Sequence, residues 1–184
     1  MRVLLFLACT CSMVMAEEGE VALTGSWKAK LVSALPAAPS IDKAHLDPGI
    51  SPTAKAALKP EFDDATWATV EVPSNWEGYG GEWANADGEA VFRRWIELPA
   101  GSAGKDFEVC LGAIDDFDVA FLNGEQVGQV DKNVLGFWVF QRCYRIPGRL
   151  LKDGRNLIAV RVFDHFGGGG FTGPKDKMVL RPLK

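Results

Sequence analysis

The chain has 184 residues, 47% of them hydrophobic, and carries a formal net charge of −4 at pH 7. A chain of this length forms one domain with a substantial buried core. A mild negative charge without a basic run gives no electrostatic reason to expect a nucleic-acid partner.

The N-terminal segment has the features of a secretory signal peptide. One Arg precedes an apolar run that ends in Val14-Met15-Ala16, the small-residue spacing after which signal peptidase cuts. The run is shorter than the ~20 apolar residues that a membrane helix needs, and no second run of that length follows. The sequence therefore predicts a signal peptide at residues 1–16, a single domain at 17–184, and a secreted or periplasmic protein without a membrane span.

The rest of the chain has the pattern of an all-β protein. Residues 33–60 contain five prolines and no alternation, which predicts a long surface loop with one helical turn near residues 54–58. The other segments are short, rich in β-branched and aromatic residues, and bounded by turn residues. Their spacing predicts an antiparallel β-sandwich of the jelly-roll type. Eight strands are predicted, at residues 27–32, 67–72, 91–98, 107–113, 118–124, 140–146, 156–163 and 178–183.

Cys110 and Cys143 are the two cysteines that remain once the signal peptide is removed. Alternation places Phe107 on the inner face of its strand, and Phe140 and Ile146 on the inner face of theirs, so both cysteines have the solvent-facing parity. If the two strands are neighbours, a cross-strand disulfide fits the geometry and the oxidising compartment. The alternative is two unpaired thiols.

Three aspartates, Asp115, Asp116 and Asp118, precede an alternating strand and the Asn123-Gly124 pair, which predicts a hairpin turn. Aspartates at a strand entrance commonly bond nearby backbone amides or form a salt bridge. A calcium site would need oxygen ligands from other loops as well. Direct contact with a sugar is the third hypothesis for these carboxylates, and a catalytic pair is disfavoured because sequence neighbours are badly placed across a glycosidic bond.

A glycine-rich segment follows the last long strand. Residues 168–173 have the spacing of a dinucleotide fingerprint, but Pro174 and a strand follow where a helix is required. The glycines therefore predict a tight loop or a close approach to another surface. His165, just before them, is a candidate ligand contact, although a loop-stabilising role is the commoner one.

Aromatic residues beside polar ones suggest a sugar site, because sugars present apolar C–H faces and a ring of hydroxyl groups. The segment at 74–85 is too irregular for a core strand, although Trp76 could instead plug the end of the sandwich. A second aromatic segment surrounds residue 138. The candidates from these segments are Asn75, Trp76, Tyr79, Trp83, Trp138 and Arg142.

Five segments in order resemble the galactose-binding-like jelly-roll domain of family-two glycoside hydrolases. They look closest to the version of that domain within sialate O-acetylesterases. The resemblance covers about residues 60–184 and implies a β-sandwich that supports an active site or contributes to sugar binding. The segments are VPSNWEGYG (72–80), VFRRWIELPAG (91–101), LGAIDDFDVAFLNGEQVG (111–128), YRIPGRLLKDGRNLIAVRVFD (144–164) and GGGGFTG (167–173).

The resemblance does not bring a catalytic apparatus. In those enzymes the catalytic carboxylates or the nucleophilic serine lie on separate domains, and no G-x-S-x-G occurs here. The family's substrate-contacting acidic residue beyond the last long strand is replaced by glycines. Arg93 and Arg94 match a strand of the family that carries two consecutive arginines. We expect one of the two side chains to be buried in an ion pair and the other to be exposed. An aspartate of residues 115–118 is the expected partner of the buried arginine.

The sequence favours a secreted, non-catalytic module that binds carbohydrate, possible galactosides included, through loops 74–85, 114–118, 131–138 and 164–173. A structural or interaction subunit that contacts a partner enzyme is the alternative, and a hydrolase is a third hypothesis. No cofactor is expected, with a structural calcium left open. Convergence of Tyr79, Trp83, Asp116, Trp138 and His165 on one concave surface is the observation that would best support the sugar hypothesis, which loses most of its support if they scatter.

Overall fold

A computed structural model describes residues 19–184, so the predicted signal peptide lies outside the described residues. The strands in this part of the chain form two six-stranded sheets, and all strand pairs are antiparallel. In chain order the strands are β1 (Val21–Ala22), β2 (Gly25–Pro36), β3 (Ala68–Val72), β4 (Ser74–Asn75), β5 (Ala86–Leu98), β6 (Phe107–Asp115), β7 (Phe117–Leu122), β8 (Glu125–Val130), β9 (Gln141–Ile146), β10 (Gly154–Asp164), β11 (Gly170–Phe171) and β12 (Met178–Pro182).

The two sheets have the order β1-β12-β6-β11-β4, with β9 also paired to β6, and β3-β2-β5-β10-β7-β8. Both bury their facing side chains in one core. The prediction of an all-β sandwich is therefore confirmed. Two peptide bonds are cis, Val72–Pro73 and Asp115–Asp116. Among residues 19–184, no helix is long and apolar enough to cross a membrane.

Each of the eight predicted strands is present. The structure adds the short strands β1, β4 and β11 and the edge strand β8, whose mostly exposed residues lack a clear apolar alternation. β7 and β8 are joined at Asn123 and Gly124, which have φ angles of 49° and 84°. Two successive positive φ angles are those of a type I′ hairpin turn, as the Asn-Gly pair predicts.

The Pro-rich segment covers the outer face of the second sheet. Strand β2 continues through residue 36, and a short helix, α1 (Pro52–Ala57), begins after Ser51, whose Oγ accepts a hydrogen bond from the Ala54 amide at 3.1 Å. Ala54 and Leu58 pack with Trp67 against apolar side chains of β5 and β10. The remaining helical turns are 3-10 turns at Ile41–Lys43, Trp76–Tyr79, Gly81–Trp83, Gly148–Leu150 and Lys175–Lys177.

Arg93 points to this outer face. It is buried, and its Nε donates to Asp64 at 2.6 Å, while other guanidinium nitrogens bond backbone carbonyls of the covering segment. Arg94 has the opposite parity and donates to the carbonyl of Thr24 at 2.7 Å. The prediction that an aspartate of residues 115–118 pairs with the buried arginine is therefore wrong. Those carboxylates lie at one end of the sandwich and not on this face.

The predicted disulfide is confirmed. Cys110 in β6 lies directly opposite Cys143 in β9, and the two are bonded. Their neighbours Phe107 and Ile146 point into the core, as the alternation predicts. Phe140, placed inside by the same alternation, is 46% exposed because β9 begins only at the next residue.

Candidate functional site

One end of the sandwich brings together four of the predicted ligand contacts. Asp115, Asp116, Trp138 and His165 line a hollow of about 270 Å3, together with Ile41, Phe137 and Phe166. The hollow forms there because β6 and β10 end at this edge and the segment after β8 folds over it. We call it the end hollow.

Asn75 lies in the same row of the sheet as Asp115. Gly170 is the cross-strand partner of both residues, so their side chains flank a position that carries none. Phe171, the next residue, is fully buried, which places Gly170 and its two partners on the outward face of the sheet. Gly170 itself is buried, and a Cβ there would lie 3.0 Å from the Ser74 carbonyl oxygen, so the glycine permits close packing of the backbone between Asn75 and Asp115.

Asp116 and His165 form the wall of the hollow. The Asp116 carboxylate accepts a hydrogen bond from the His165 backbone amide at 2.9 Å and lies 3.7 Å from His165 Nε2. The imidazole stacks against Phe117 and Phe137, with ring centroids 5.1 and 5.5 Å away. The histidine is thus held by its backbone and its ring, which leaves its polar edge beside the carboxylate.

Trp138 supplies an aromatic surface at the rim. Its side chain is 47% exposed, and its ring meets Phe137 edge to face at 5.0 Å. Phe137 also contacts Phe117, with ring centroids 4.8 Å apart. The half-buried Phe137, itself packed on Phe117, therefore fixes one edge of Trp138, while the remainder of the ring faces solvent.

A second hollow, of about 540 Å3, adjoins the first and shares Phe137 and His165 with it. Its other lining residues come from the Pro-rich segment, from the start of β7 and from the segment after β8; they are His45, Leu46, Asp47, Gly49, Phe117, Asp131 and Lys132. The two hollows form one concave region at this end of the sandwich.

Arg142, predicted as a ligand contact, is instead a structural residue. Its side chain is fully buried, and its guanidinium donates to Asp118 Oδ1 and to the Asp116 carbonyl, both at 2.8 Å. It also bonds the carbonyls of Phe137 and Phe140. The guanidinium therefore connects the segment that carries Trp138 to the segment that carries the aspartates. Because Arg142 is buried in this role, its side chain is not available to a ligand.

Trp76 and Trp83 are also corrections, because both belong to the core. Trp76 is 0% exposed, and its indole donates to the Ala86 carbonyl at 3.1 Å; Trp83 is 4% exposed. A Cβ on Gly169 would lie 2.4 Å from the Trp76 ring, so this glycine permits a close approach and not a phosphate site. Tyr79 is partly buried against the core, and its hydroxyl donates to the Glu71 carbonyl at 3.0 Å.

Asp118 takes the salt-bridge role that was one of the hypotheses for the three aspartates. One oxygen accepts from Arg142 and the other from the Tyr144 hydroxyl at 2.8 Å. Because both oxygens are occupied, Asp118 is not free for a calcium ion shared with Asp115 and Asp116.

Further carboxylates, which the list of predicted site residues does not include, lie behind the end hollow. Asp87 at the start of β5 and Asp164 at the end of β10 are both buried. They lie close together because Gly88, the residue after Asp87, is the cross-strand partner of Asp164. Glu77 accepts a hydrogen bond from the Gly169 amide at 3.1 Å. We call the five carboxylates at this end the buried acidic group: Glu77, Asp87, Asp115, Asp116 and Asp164.

The surroundings of three of these carboxyl groups favour their neutral forms. Burial, followed by the neighbouring carboxyl of Asp116, raises the pKa of Asp115 to about 8. Burial, followed by the charges of Asp87 and Asp116, raises the pKa of Asp164 to about 9. Burial also raises the pKa of Glu77. The sequence signal for Asp87 and Asp164 is weak, since each is simply an acid at the end of a long strand.

Comparison with known proteins gives the fold. No family model and no curated protein matches the chain. Among solved structures it is similar to Bacteroides uniformis β-glucuronidase 2, solved bound to cyclophellitol-6-carboxylate aziridine, with 21% identity and a TM-score of 0.61 over 89% of this chain and 18% of that one.

Two further enzymes show the same likeness. A β-glucuronidase from glycoside hydrolase family 2 is 18% identical with a TM-score of 0.61, over 91% of this chain and 18% of its own. A β-glucuronidase of an uncultured Clostridium sp. is 13% identical with a TM-score of 0.62, over 92% of this chain and 30% of its own. The chain thus spans less than a third of each, and it has the fold of a domain within them. The narrower resemblance to sialate O-acetylesterases has no support from these comparisons.

Proposed function

We propose that the chain is an exported, non-catalytic carbohydrate-binding module whose ligand occupies the end hollow. The observation that carries this proposal is the convergence of the exposed Trp138 ring with Asp115, Asp116 and His165 around one concavity. Ligand sites of this kind combine apolar walls with a few convergent polar groups.

The contacts suit a sugar. The exposed part of the Trp138 ring can stack on the C–H face of a pyranose, while carboxylate oxygens accept hydrogen bonds from its hydroxyl groups. Asn75, across Gly170 from Asp115, adds an amide that both donates and accepts. With one aromatic platform, the expected affinity for a single sugar is weak, because little apolar area is buried to offset the cost of association.

The charge of the hollow selects among sugars. Asp116 in the wall disfavours a sugar that carries its own carboxylate, such as a glucuronide, because like charges repel. The similar enzymes are β-glucuronidases, but the end hollow is better suited to a neutral hexose. We therefore take galactosides, which the family resemblance suggests, as the first ligands to test.

Export is part of the same proposal. The Cys110–Cys143 disulfide supports it, since disulfides persist in oxidising compartments, and the N-terminal sequence has the pattern of a secretory signal.

The test is a calorimetric titration with methyl β-galactoside and, separately, methyl β-glucuronide. We expect saturable binding of the neutral sugar and weaker binding of the glucuronide. Trp138→Ala removes the platform and should abolish binding. Trp95→Ala is the matched control, because Trp95 lies on the outer face of the second sheet, stacked under Arg155 at 4.1 Å, and its loss should leave binding unchanged.

A second function is favoured by the apolar side chains around the concave region. Ile41, Leu46, Leu135 and Val139 are 63%, 88%, 97% and 60% exposed. Exposed apolar side chains grouped in this way are typical of a protein contact. An accessory domain that packs against a partner enzyme would use them; Leu135→Ser with Val139→Ser would then weaken partner binding, and no sugar would bind at the end hollow.

A further inference from the structure

When its members are ionised, the buried acidic group holds more negative charge than its surroundings neutralise. The ion pairs of its members are with histidines: His45 Nε2 lies 3.5 Å from Asp87, and His165 Nε2 lies 3.7 Å from Asp116. Two buried guanidinium groups of the sandwich are engaged elsewhere, since Arg142 pairs with Asp118, and Arg161 pairs with Glu89 and Asp47. Several carboxylates thus share a buried region with little cationic compensation, which is costly unless something else supplies positive charge.

Three carboxylate oxygens of the buried acidic group lack hydrogen-bond partners. Glu77 Oε2, Asp87 Oδ1 and Asp164 Oδ2 are buried and have no hydrogen-bond partner among the described residues. Asp87 is 1% exposed and Asp164 is 0% exposed, so bulk water does not reach these side chains. Their other oxygens are used, by the Ala38 and Phe166 amides at 2.8 and 3.0 Å. Buried carboxylate oxygens without partners are rare in folded proteins and call for a ligand.

We propose that the buried acidic group binds a hard divalent cation, with Ca2+ as the first candidate. Asp116 and Asp164 are the inner ligands, because their carboxylates accept hydrogen bonds from the successive backbone amides of His165 and Phe166 and therefore lie side by side. Glu77, Asp87 and Asp115 lie within electrostatic reach of this pair and supply the surrounding negative charge. Oxygen ligands are the ones that Ca2+ and Mg2+ prefer.

The arrangement indicates how the coordination shell is completed. Among residues 19–184, no three of these carboxylates bring oxygens within 4.8 Å of one another, so they do not form a closed cage. Such cations are commonly bound by two carboxylates, while water and backbone carbonyls complete the coordination shell. Asp116 also lines the end hollow, which gives the ion a path from solvent. The bound ion would fix the wall formed by Asp116 and His165.

Thermal unfolding and terbium luminescence test the site. Protein stripped with a chelator should unfold at a higher temperature when Ca2+ is added, with a rise that grows with concentration, because an ion that binds only the folded state stabilises it by mass action. Tb3+ should give luminescence excited through a nearby tryptophan, with one site that Ca2+ displaces. Mg2+ is titrated in parallel.

Asp116→Asn and Asp164→Asn should each abolish the Ca2+-dependent rise and the terbium signal. The cation response is the readout, because removal of a buried unpaired charge can itself raise stability. Asp176→Asn, at an exposed carboxylate that pairs with the neighbouring Lys177, should keep the full response. The proposal is overturned if neither Ca2+ nor Mg2+ shifts the unfolding temperature and Tb3+ does not bind wild-type protein, or if the response survives in both asparagine variants.

Discussion

Arg142 Nε donates to Asp118 Oδ1 at 2.8 Å, and both side chains are 0% exposed. This pair explains one of the three neighbouring aspartates, Asp118, and the same guanidinium also bonds the backbone carbonyl of Asp116. It also holds the backbone at Phe137, beside Trp138. A buried ion pair therefore positions the rim of the end hollow without contacting a ligand.

Removing Arg142 should destabilise the protein strongly. Arg142→Met leaves Asp118 buried and unpaired, which is expected to lower the free energy of unfolding by about 3–5 kcal/mol. Chemical denaturation measures this. Arg145→Met is the control, since Arg145 pairs with Asp106 at the surface and its loss should cost less than about 1 kcal/mol. Equal losses in the two variants would contradict the assigned role.

Loss of the disulfide should also cost stability. The bond closes a loop with a sequence separation of 33 residues. The chain-entropy estimate for a loop of that size is about 3–4 kcal/mol of unfolding free energy. Denaturation of the Cys110→Ser, Cys143→Ser double variant against oxidised wild type measures it, and an unchanged midpoint would show that the bond contributes nothing.

Stability should fall as pH rises when divalent cations are chelated. The folded-state pKa values of Asp115 and Asp164 are raised from 3.8 to about 8 and about 9, so the folded protein holds protons that the unfolded chain releases. The stabilisation is complete below pH 3.8 and is lost as pH rises through those folded values. The unfolding temperature of Asp164→Asn should depend less on pH over this range. A wild-type unfolding temperature that rises from pH 5 to pH 9 because of these groups would contradict the sign.

Replacing Trp83 should lower the stability of the protein far more than replacing Trp138. Trp83→Ala empties a core position between Trp76 and Phe92 and is expected to cost about 3–5 kcal/mol of unfolding free energy. Trp138→Ala removes a half-exposed ring and should cost far less. Thermal denaturation of both variants distinguishes a core residue from a surface platform, and similar losses would contradict the assignment.

The sequence predicts most of the fold because local signals agree with tertiary packing. Alternation locates the strands, the Asn123-Gly124 pair marks a hairpin, and parity places Cys110 and Cys143 opposite each other. It does not predict the edge strand β8, whose exposed side chains need no apolar alternation. The sequence also does not predict the partner of Arg93, because Asp64 reaches it only when the segment that contains Asp64 folds over the outer face.

The candidate site is predicted in part, for similar reasons. An aromatic residue in an irregular glycine-rich segment can serve as a platform or as a core plug, and sequence does not distinguish the exposed Trp138 from the buried Trp83. Asp87 and Asp164 lie far apart in the chain and meet only because β5 and β10 pair. Convergence of that kind depends on strand register, which no local pattern records.

The most direct test of carbohydrate binding is a titration followed by backbone and indole amide NMR. With methyl β-galactoside, we expect saturable shifts of the amides of Asp116, Phe137 and His165 and of the Trp138 indole, while the Trp95 indole stays unchanged. The absence of any saturable shift, or a saturable set confined to residues outside the end hollow, would contradict the account.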